Sequence, residues 1–189
     1  MARRGVTPST ITLATPVLTV VVCLFFVRTR ALLPFCVSML AIGCLDALDG
    51  AVARAGGRVT KLGAYLDAMC DRYVEMIVAV AVAFVTGYWA LILLLLAGSM
   101  LVSYAKARAA MEVPIANGEW PDVMERTERG VLFLLGLAIS AICPSRPLGH
   151  DLFWWTVVLL TILTHLTVVQ RMLRARRLII QRSPSSIRP

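Results

Sequence analysis

The chain has 189 residues, 59% of them hydrophobic and only 16% charged, with 19 basic against 11 acidic residues and a formal charge of +8. A soluble domain carries roughly 25% charge, so this composition, with a mean hydropathy of +0.79, argues against an ordinary water-soluble globule. The basic residues fall at the ends of apolar runs with no aromatic interleaving, which argues against a nucleic-acid partner.

Taken in chain order, the apolar runs predict six membrane-spanning helices in one bundle, an all-α fold forming a single domain over 1–189. The first covers Thr10 to Val27, and no small-residue cleavage site follows it, so it is expected to stay as a span. The second covers Leu32 to Ala55, the third Leu62 to Gly87, and a tight turn at Gly87-Tyr88 leads into a fourth ending near Met111. Glu112 to Glu128 is polar and holds Pro114, Asn117-Gly118 and Pro121, which predicts a loop. A fifth span follows from Gly130 to Cys143, then Pro144, Pro147 and Gly149 break it from a sixth over Leu152 to Val169, with a basic tail from about 171. Cys23, Cys36, Cys44, Cys70 and Cys143 form no CxxC pair and read as small apolar packing residues. Trp89, Trp154 and Trp155 sit where interfacial aromatic anchors belong, and His165 reads as a hydrogen-bonded histidine within the sixth span.

Six spans place both termini on one side. That side then holds all of the 19 basic residues except Arg28, Arg30 and Arg146, which marks it as cytoplasmic. The expected location is a multi-pass protein of the cell membrane, with the tail arginines touching anionic membrane lipids.

Four acids interrupt this apolar pattern. Asp46 and Asp49 are three apart and Asp67 and Asp71 four apart, so each pair shares one helix face. Counted from the Gly56-Gly57 turn, Asp46 and Asp67 are each ten residues away, about 15 Å along their helices. The two pairs are therefore expected to meet at one depth on adjacent antiparallel helices. Converging carboxylates need compensating cations, and hard divalent ions suit oxygen ligands, two of them being a known clamp for a displacement at phosphorus. Spacing alone leaves open an aspartate-lined cation transporter, or plain pairing with Arg54, Arg58 or Arg72. Intramembrane carboxylates read as functional in any of these cases.

The run Asp46-Ala-Leu-Asp49-Gly50-Ala-Val-Ala53-Arg54, then eight residues, then Gly63-Ala-Tyr-Leu-Asp67-Ala-Met-Cys-Asp71 resembles the signature of the CDP-alcohol phosphotransferases. That signature, D-x2-D-G-x2-A-R-x8-G-x3-D-x3-D, is met at every fixed position. The resemblance implies a homodimeric six-helix fold with a Mg²⁺- or Mn²⁺-dependent site for two ions, open to the cytoplasm. It implies attack of an acceptor hydroxyl on the β-phosphorus of a CDP-linked donor, with release of CMP. By position, Asp46, Asp49, Asp67 and Asp71 would hold metal, with Asp71 also the general base. Arg54 would neutralise donor phosphate, while Gly50, Ala53 and Gly63 leave room for the nucleotide. Thr7-Pro8-Ser9-Thr10 resembles the short stretch that lines the family's cytidine pocket, assigning Pro8 and Thr10 to the donor, with Ser9 where asparagine is usual. The chain reaches Thr10 almost at once, without the amphipathic helix that usually precedes the first span in such enzymes.

A second group of charges concerns the acceptor. Lys106 and Arg108, Arg126 and Arg129, and Arg171 are placed by the six-span topology at the same cytoplasmic ends as the aspartates, where they would bind a phosphate on the acceptor. The Ser103-Tyr104-Ala105-Lys106-Ala107-Arg108-Ala109 run and the Glu125-Arg126-Thr127-Glu128-Arg129 run are similar to the branch of the family that makes phosphatidylinositol phosphate, archaeal users of CDP-archaeol included. This favours a CDP-lipid donor, CDP-diacylglycerol or CDP-archaeol, and inositol phosphate as the phosphorylated polyol acceptor. Glycerol 3-phosphate is the alternative acceptor. Met111 to Val123 departs from that branch.

Overall fold

The computed structural model describes residues 8–55, 60–114 and 126–182, with side chains for all of these except 8–13, 49 and 52–55. Six α-helices account for nearly all of them: α1 Pro8–Thr29, α2 Leu32–Ala55, α3 Lys61–Thr86, α4 Trp89–Glu112, α5 Arg126–Ile142 and α6 Leu152–Arg182, with a 3-10 turn at Pro147–Gly149 before α6. There is no strand among the described residues. The all-α expectation holds, and the first four helix boundaries fall within two residues of those read from hydropathy. Two helices, α4 and α6, are by themselves long and apolar enough to cross a bilayer.

The last two helices differ from expectation. α5 begins at Arg126 rather than Gly130, because Arg-Thr-Glu-Arg carries good helix formers and places Glu128 in the first turn, where an acid favours the helix dipole. α6 continues past Val169 to Arg182. The residues from Arg171 to Arg182 are Arg, Met, Leu, Ala, Ile and Gln with neither Gly nor Pro, so charge ends the apolar stretch without ending the helix.

Packing joins α1 to α2, α2 to α5, α5 to α6, α6 to α4, α4 to α3 and α3 back to α1, a closed ring of six helices. Three hairpins, α1–α2, α3–α4 and α5–α6, turn at the same end of this ring. Gly87 makes the middle turn in two residues, adopting φ +80° and donating its N–H to the Ala83 carbonyl at 2.9 Å. Arg30 closes α1 in the same left-handed region, at φ 55°. An aromatic pair packs across each hairpin: Phe26 stacks on Phe35 at 4.0 Å, Phe84 meets Trp89 edge-on at 6.4 Å, and Phe133 in mid-α5 meets Phe153 edge-on at 5.1 Å. At the third turn, Tyr88 donates to Asp151 Oδ2 at 2.7 Å while Asp151 Oδ1 caps α6 by accepting from the Trp154 N–H at 2.8 Å. Burial and that bond push the Tyr88 hydroxyl up to about 12. His150 stacks on Trp154 at 4.1 Å, and the Trp155 indole donates to the Pro147 carbonyl at 3.0 Å.

The apolar core lies toward this same end. Its buried members include Cys23 and Phe26 late in α1, Phe35 and Met39 early in α2, Val82 late in α3, Ile92 early in α4, and Phe153 and Val157 early in α6. The other end carries most of the charged residues and the site. On the outer faces, apolar side chains such as Val17, Leu24, Phe25, Val37, Leu159 and Ile162 are more than half exposed.

Candidate active site

α2 and α3 supply the acids. Carboxylate oxygens of Asp46, Asp67 and Asp71 all lie within 4.8 Å of one another. Asp49 is on α2 one turn beyond Asp46, and its side chain lies outside the described ones. Asp46 does meet Asp67 and Asp71, while Gly56-Gly57, the turn from which the equal depth was counted, lies outside the described residues. However, α2 and α3 are not among the packed helix pairs; each packs on α1 instead, and the carboxylates converge across a gap. The reason is electrostatic and steric: acids on facing stripes repel at close range, and the space between them is what a ligand would fill.

Thr60 begins α3 by accepting the Gly63 N–H on its Oγ1 at 3.0 Å, a cap that fixes where the helix carrying Asp67 and Asp71 starts. A Cβ on Gly63 would meet that hydroxyl at 3.0 Å. Gly50 is half-buried in α2. The expected donor residues Pro8, Thr10, Ala53 and Arg54 are on helices, but their side chains, like all of Arg58, lie outside those described.

The basic residues divide. Arg126 forms an ion pair with Asp71. Arg129, 5% exposed, donates from Nη2 to Ser99 Oγ at 2.7 Å. Arg171, 7% exposed, donates to the Val102 carbonyl. Arg108 is on the surface, paired with Glu112 at 2.7 Å, and Lys106 is half-buried on the same helix. Arg72, an expected candidate for pairing with an aspartate, instead pairs with Glu75 at 2.8 Å. His165, half-buried, reaches the Leu94 carbonyl at 3.2 Å, so the reading of it as hydrogen-bonded agrees with its contacts.

A cavity of about 520 Å³ opens between α2, α3, α4 and α5. Asp46, Glu75, Arg126 and Arg129 give it a charged region, and Met39, Ile92, Leu95 and Phe133 make its depth apolar. That combination suits a ligand with an anionic head and a greasy body. Three carboxylates this close, with no thiolate or imidazole among them, fit a hard divalent cation.

Glu75 escaped the sequence reading. It lies four residues beyond Asp71, as Asp71 does beyond Asp67, so the acid stripe of α3 runs one turn deeper than the motif. That spacing was the available signal. Its hydrogen bond from Ser99 on α4 was not available in the sequence.

Residues 5–169 match the family model described as CDP-alcohol phosphatidyltransferase. The chain is 33% identical to the phosphatidylinositol phosphate synthase of Corynebacterium glutamicum over 183 residues, covering 93% of this chain and 80% of that one. It is 31% identical to the archaetidylinositol phosphate synthase of Pyrococcus horikoshii over 182 residues, covering 94% and 87%. The crystal structure of Mycobacterium tuberculosis phosphatidylinositol phosphate synthase with CDP-DAG bound is similar at a TM-score of 0.79 and 26% identity, covering 98% of this chain and 92% of that one. The same enzyme in complex with manganese and citrate is similar at a TM-score of 0.77, covering 98% and 87%.

Proposed function

The chain belongs to the CDP-alcohol phosphatidyltransferase family and is an enzyme of that class, and from this premise we propose that it transfers a phosphatidyl-type group from a CDP-lipid to inositol phosphate, releasing CMP. The observation that carries the reading is the convergence of Asp46, Asp67 and Asp71 beside a cavity that Arg126 and Arg129 also line. The cation-transport alternative gives way to the family membership.

In this reading Asp46, Asp49, Asp67 and Asp71 hold divalent metal, Mg²⁺ or Mn²⁺. When bound, the metal neutralises the carboxylates and polarises the phosphate oxygens of the donor. Asp71 accepts the proton of the acceptor hydroxyl as its oxygen forms a bond to the β-phosphorus. The bond from that phosphorus to the bridging oxygen breaks, and CMP leaves with the electron pair. Arg54, with Gly50, Ala53, Gly63, Pro8 and Thr10, is assigned to the CDP end of the donor. Arg126 and Arg129 line the cavity, with Arg171 close enough to act on Arg129, and these three are assigned to the acceptor's phosphate. Lys106 and Arg108 do not line that cavity, and Arg108 is engaged with Glu112, so their part in binding that phosphate has less support. Arg126 must leave Asp71 for the base to act, and an arriving phosphate offers it a second anion.

The proposal extends to the setting: six crossings of the cell membrane, the site and both termini cytoplasmic, and a homodimer. The large apolar side chains exposed on the outer faces support a lipid environment, since patches of that kind are rare on soluble monomers. The deciding assay is CMP release by purified protein from CDP-diacylglycerol or CDP-archaeol, with Mg²⁺ or Mn²⁺, against inositol 1-phosphate, free inositol, glycerol 3-phosphate and serine. Turnover with inositol 1-phosphate alone, abolished by a chelator, is expected. Turnover with glycerol 3-phosphate alone would replace the acceptor, and turnover with neither would remove the reading.

A further inference from the structure

Glu75 lines the cavity, and the reaction above gives it no task. It stands one turn below Asp71 on α3, as Arg129 stands one turn below Arg126 on α5. α3 and α5 are not a packed pair, so their charged side chains bridge the space between them in two rungs. The first rung is the Asp71–Arg126 ion pair. The second runs from Glu75 through Ser99 on α4 to Arg129: Ser99 Oγ donates to Glu75 Oε1 and accepts from Arg129 Nη2 at 2.7 Å.

The second rung has a built-in direction. A serine hydroxyl has one proton, and giving it to the carboxylate leaves its lone pairs for a donor. The Glu75 charge therefore orients Ser99, and Ser99, fully buried, fixes one edge of the guanidinium. Arg129 is buried among like charges, Arg72, Arg171 and Arg126, with Glu75 as an opposing charge. A guanidinium has five N–H donors in a rigid fork, so pinning one edge sets where the others point.

We propose that Glu75, acting through Ser99, is a positioning residue that holds Arg129 on the cavity wall with its other donors turned toward the acceptor's phosphate. This rests on the reading of the cavity given above and adds the device that orients its deepest arginine. Two opposite effects meet at Glu75. Its charge repels a bound phosphate directly, and its hold on Arg129 favours that phosphate. Ser99 separates them, because Ser99→Ala cuts the relay without changing any charge.

The test measures KM for inositol 1-phosphate, KM for CDP-diacylglycerol and kcat for the full chain in detergent, in wild type, Ser99→Ala and Glu75→Gln, with thermal unfolding alongside. Loss of one charge-assisted contact predicts an acceptor KM raised about tenfold in Ser99→Ala and by less in Glu75→Gln, where the lost repulsion offsets part of the effect, with the donor KM within about twofold in both. Isothermal titration with inositol 1-phosphate should show the same weakening without relying on turnover. Lower thermal stability with an unchanged acceptor KM would make the network a bundle contact only and overturn the proposal. A lower acceptor KM in Glu75→Gln with no rise in Ser99→Ala would make Glu75 a counter-charge only and overturn it as well. If the wild type turns over glycerol 3-phosphate instead, the acceptor reading fails while the same comparison on that substrate still decides this one. A wild type that neither turns over nor binds a phosphorylated acceptor would overturn both.

Discussion

Asp71 stands in two relationships at once, within 4.8 Å of the Asp46 and Asp67 carboxylates and in an ion pair with Arg126 from α5. The first suits a metal ligand, and in the second the Arg126 guanidinium offsets the charge of the carboxylate. Asp71→Asn keeps the shape but has no basic oxygen to take a proton. It should lower kcat by about 10²- to 10⁴-fold, the usual contribution of a positioned base. Titration with a CDP-lipid separates this loss from failure to bind the donor, which should persist. At this scale the sequence was informative wherever residue type and spacing alone carry chemistry. Asp46, Asp67 and Asp71 were legible because an ionised group in an apolar helix stands out. Glu75 was equally visible but was passed over because it falls outside the motif, and Ser99 reads from the sequence only as a small residue easing helix contact, because a serine in a helix commonly bonds its own backbone. Arg126 was assigned to the acceptor's phosphate, and in this structure its side chain pairs with Asp71.

Among the elements, α6 depends on its first turn and on one small neighbour. Asp151 caps its first turn and accepts from Tyr88, so Asp151→Ala removes a cap worth about 1 kcal/mol and orphans the tyrosine hydroxyl. Thermal unfolding should show the loss as a lower midpoint. The folded Tyr88 value lies above its unfolded one, so the contribution of this bond is full below pH 10 and is lost as pH rises through about 12. The stability difference between wild type and Asp151→Ala should narrow over that range. Where α5 meets α6, a Cβ on Gly136 would lie 2.4 Å from Thr156 Cγ2 and 2.7 Å from its Cβ. Gly136→Ala should destabilise by roughly 1–3 kcal/mol, as overpacking does. Thr156→Ala should recover part of that loss, since it clears the outer atoms but leaves the Cβ. Hydropathy located α1 to α4 within two residues because apolar runs and turn residues coincide there. It missed the start of α5 and the last turns of α6, where the helix outlasts the apolar stretch.

For the whole molecule, three hairpins close one end of a ring around a packed apolar core, and the opposite end opens on charge. Cys143 is exposed at the closed end, beside the α5–α6 turn, while Cys23 and Cys36 are buried. With the other four cysteines replaced, Cys143 should react with a membrane-impermeant maleimide in intact cells, and labelling only in inverted vesicles would reverse the proposed orientation. The sequence by itself determined the helical content, the charge asymmetry between the ends and the acids that converge, because hydropathy, charge and helical periodicity are properties of residues in order. Tertiary structure alone decided that α2 and α3 stand apart rather than pack, that Arg126 pairs with Asp71, and that Glu75 reaches Arg129 through Ser99. These depend on the order of the helices around the ring and on the rotation of each about its axis. Both are set by how six apolar faces of different shape pack together, and no local pattern in the chain encodes that.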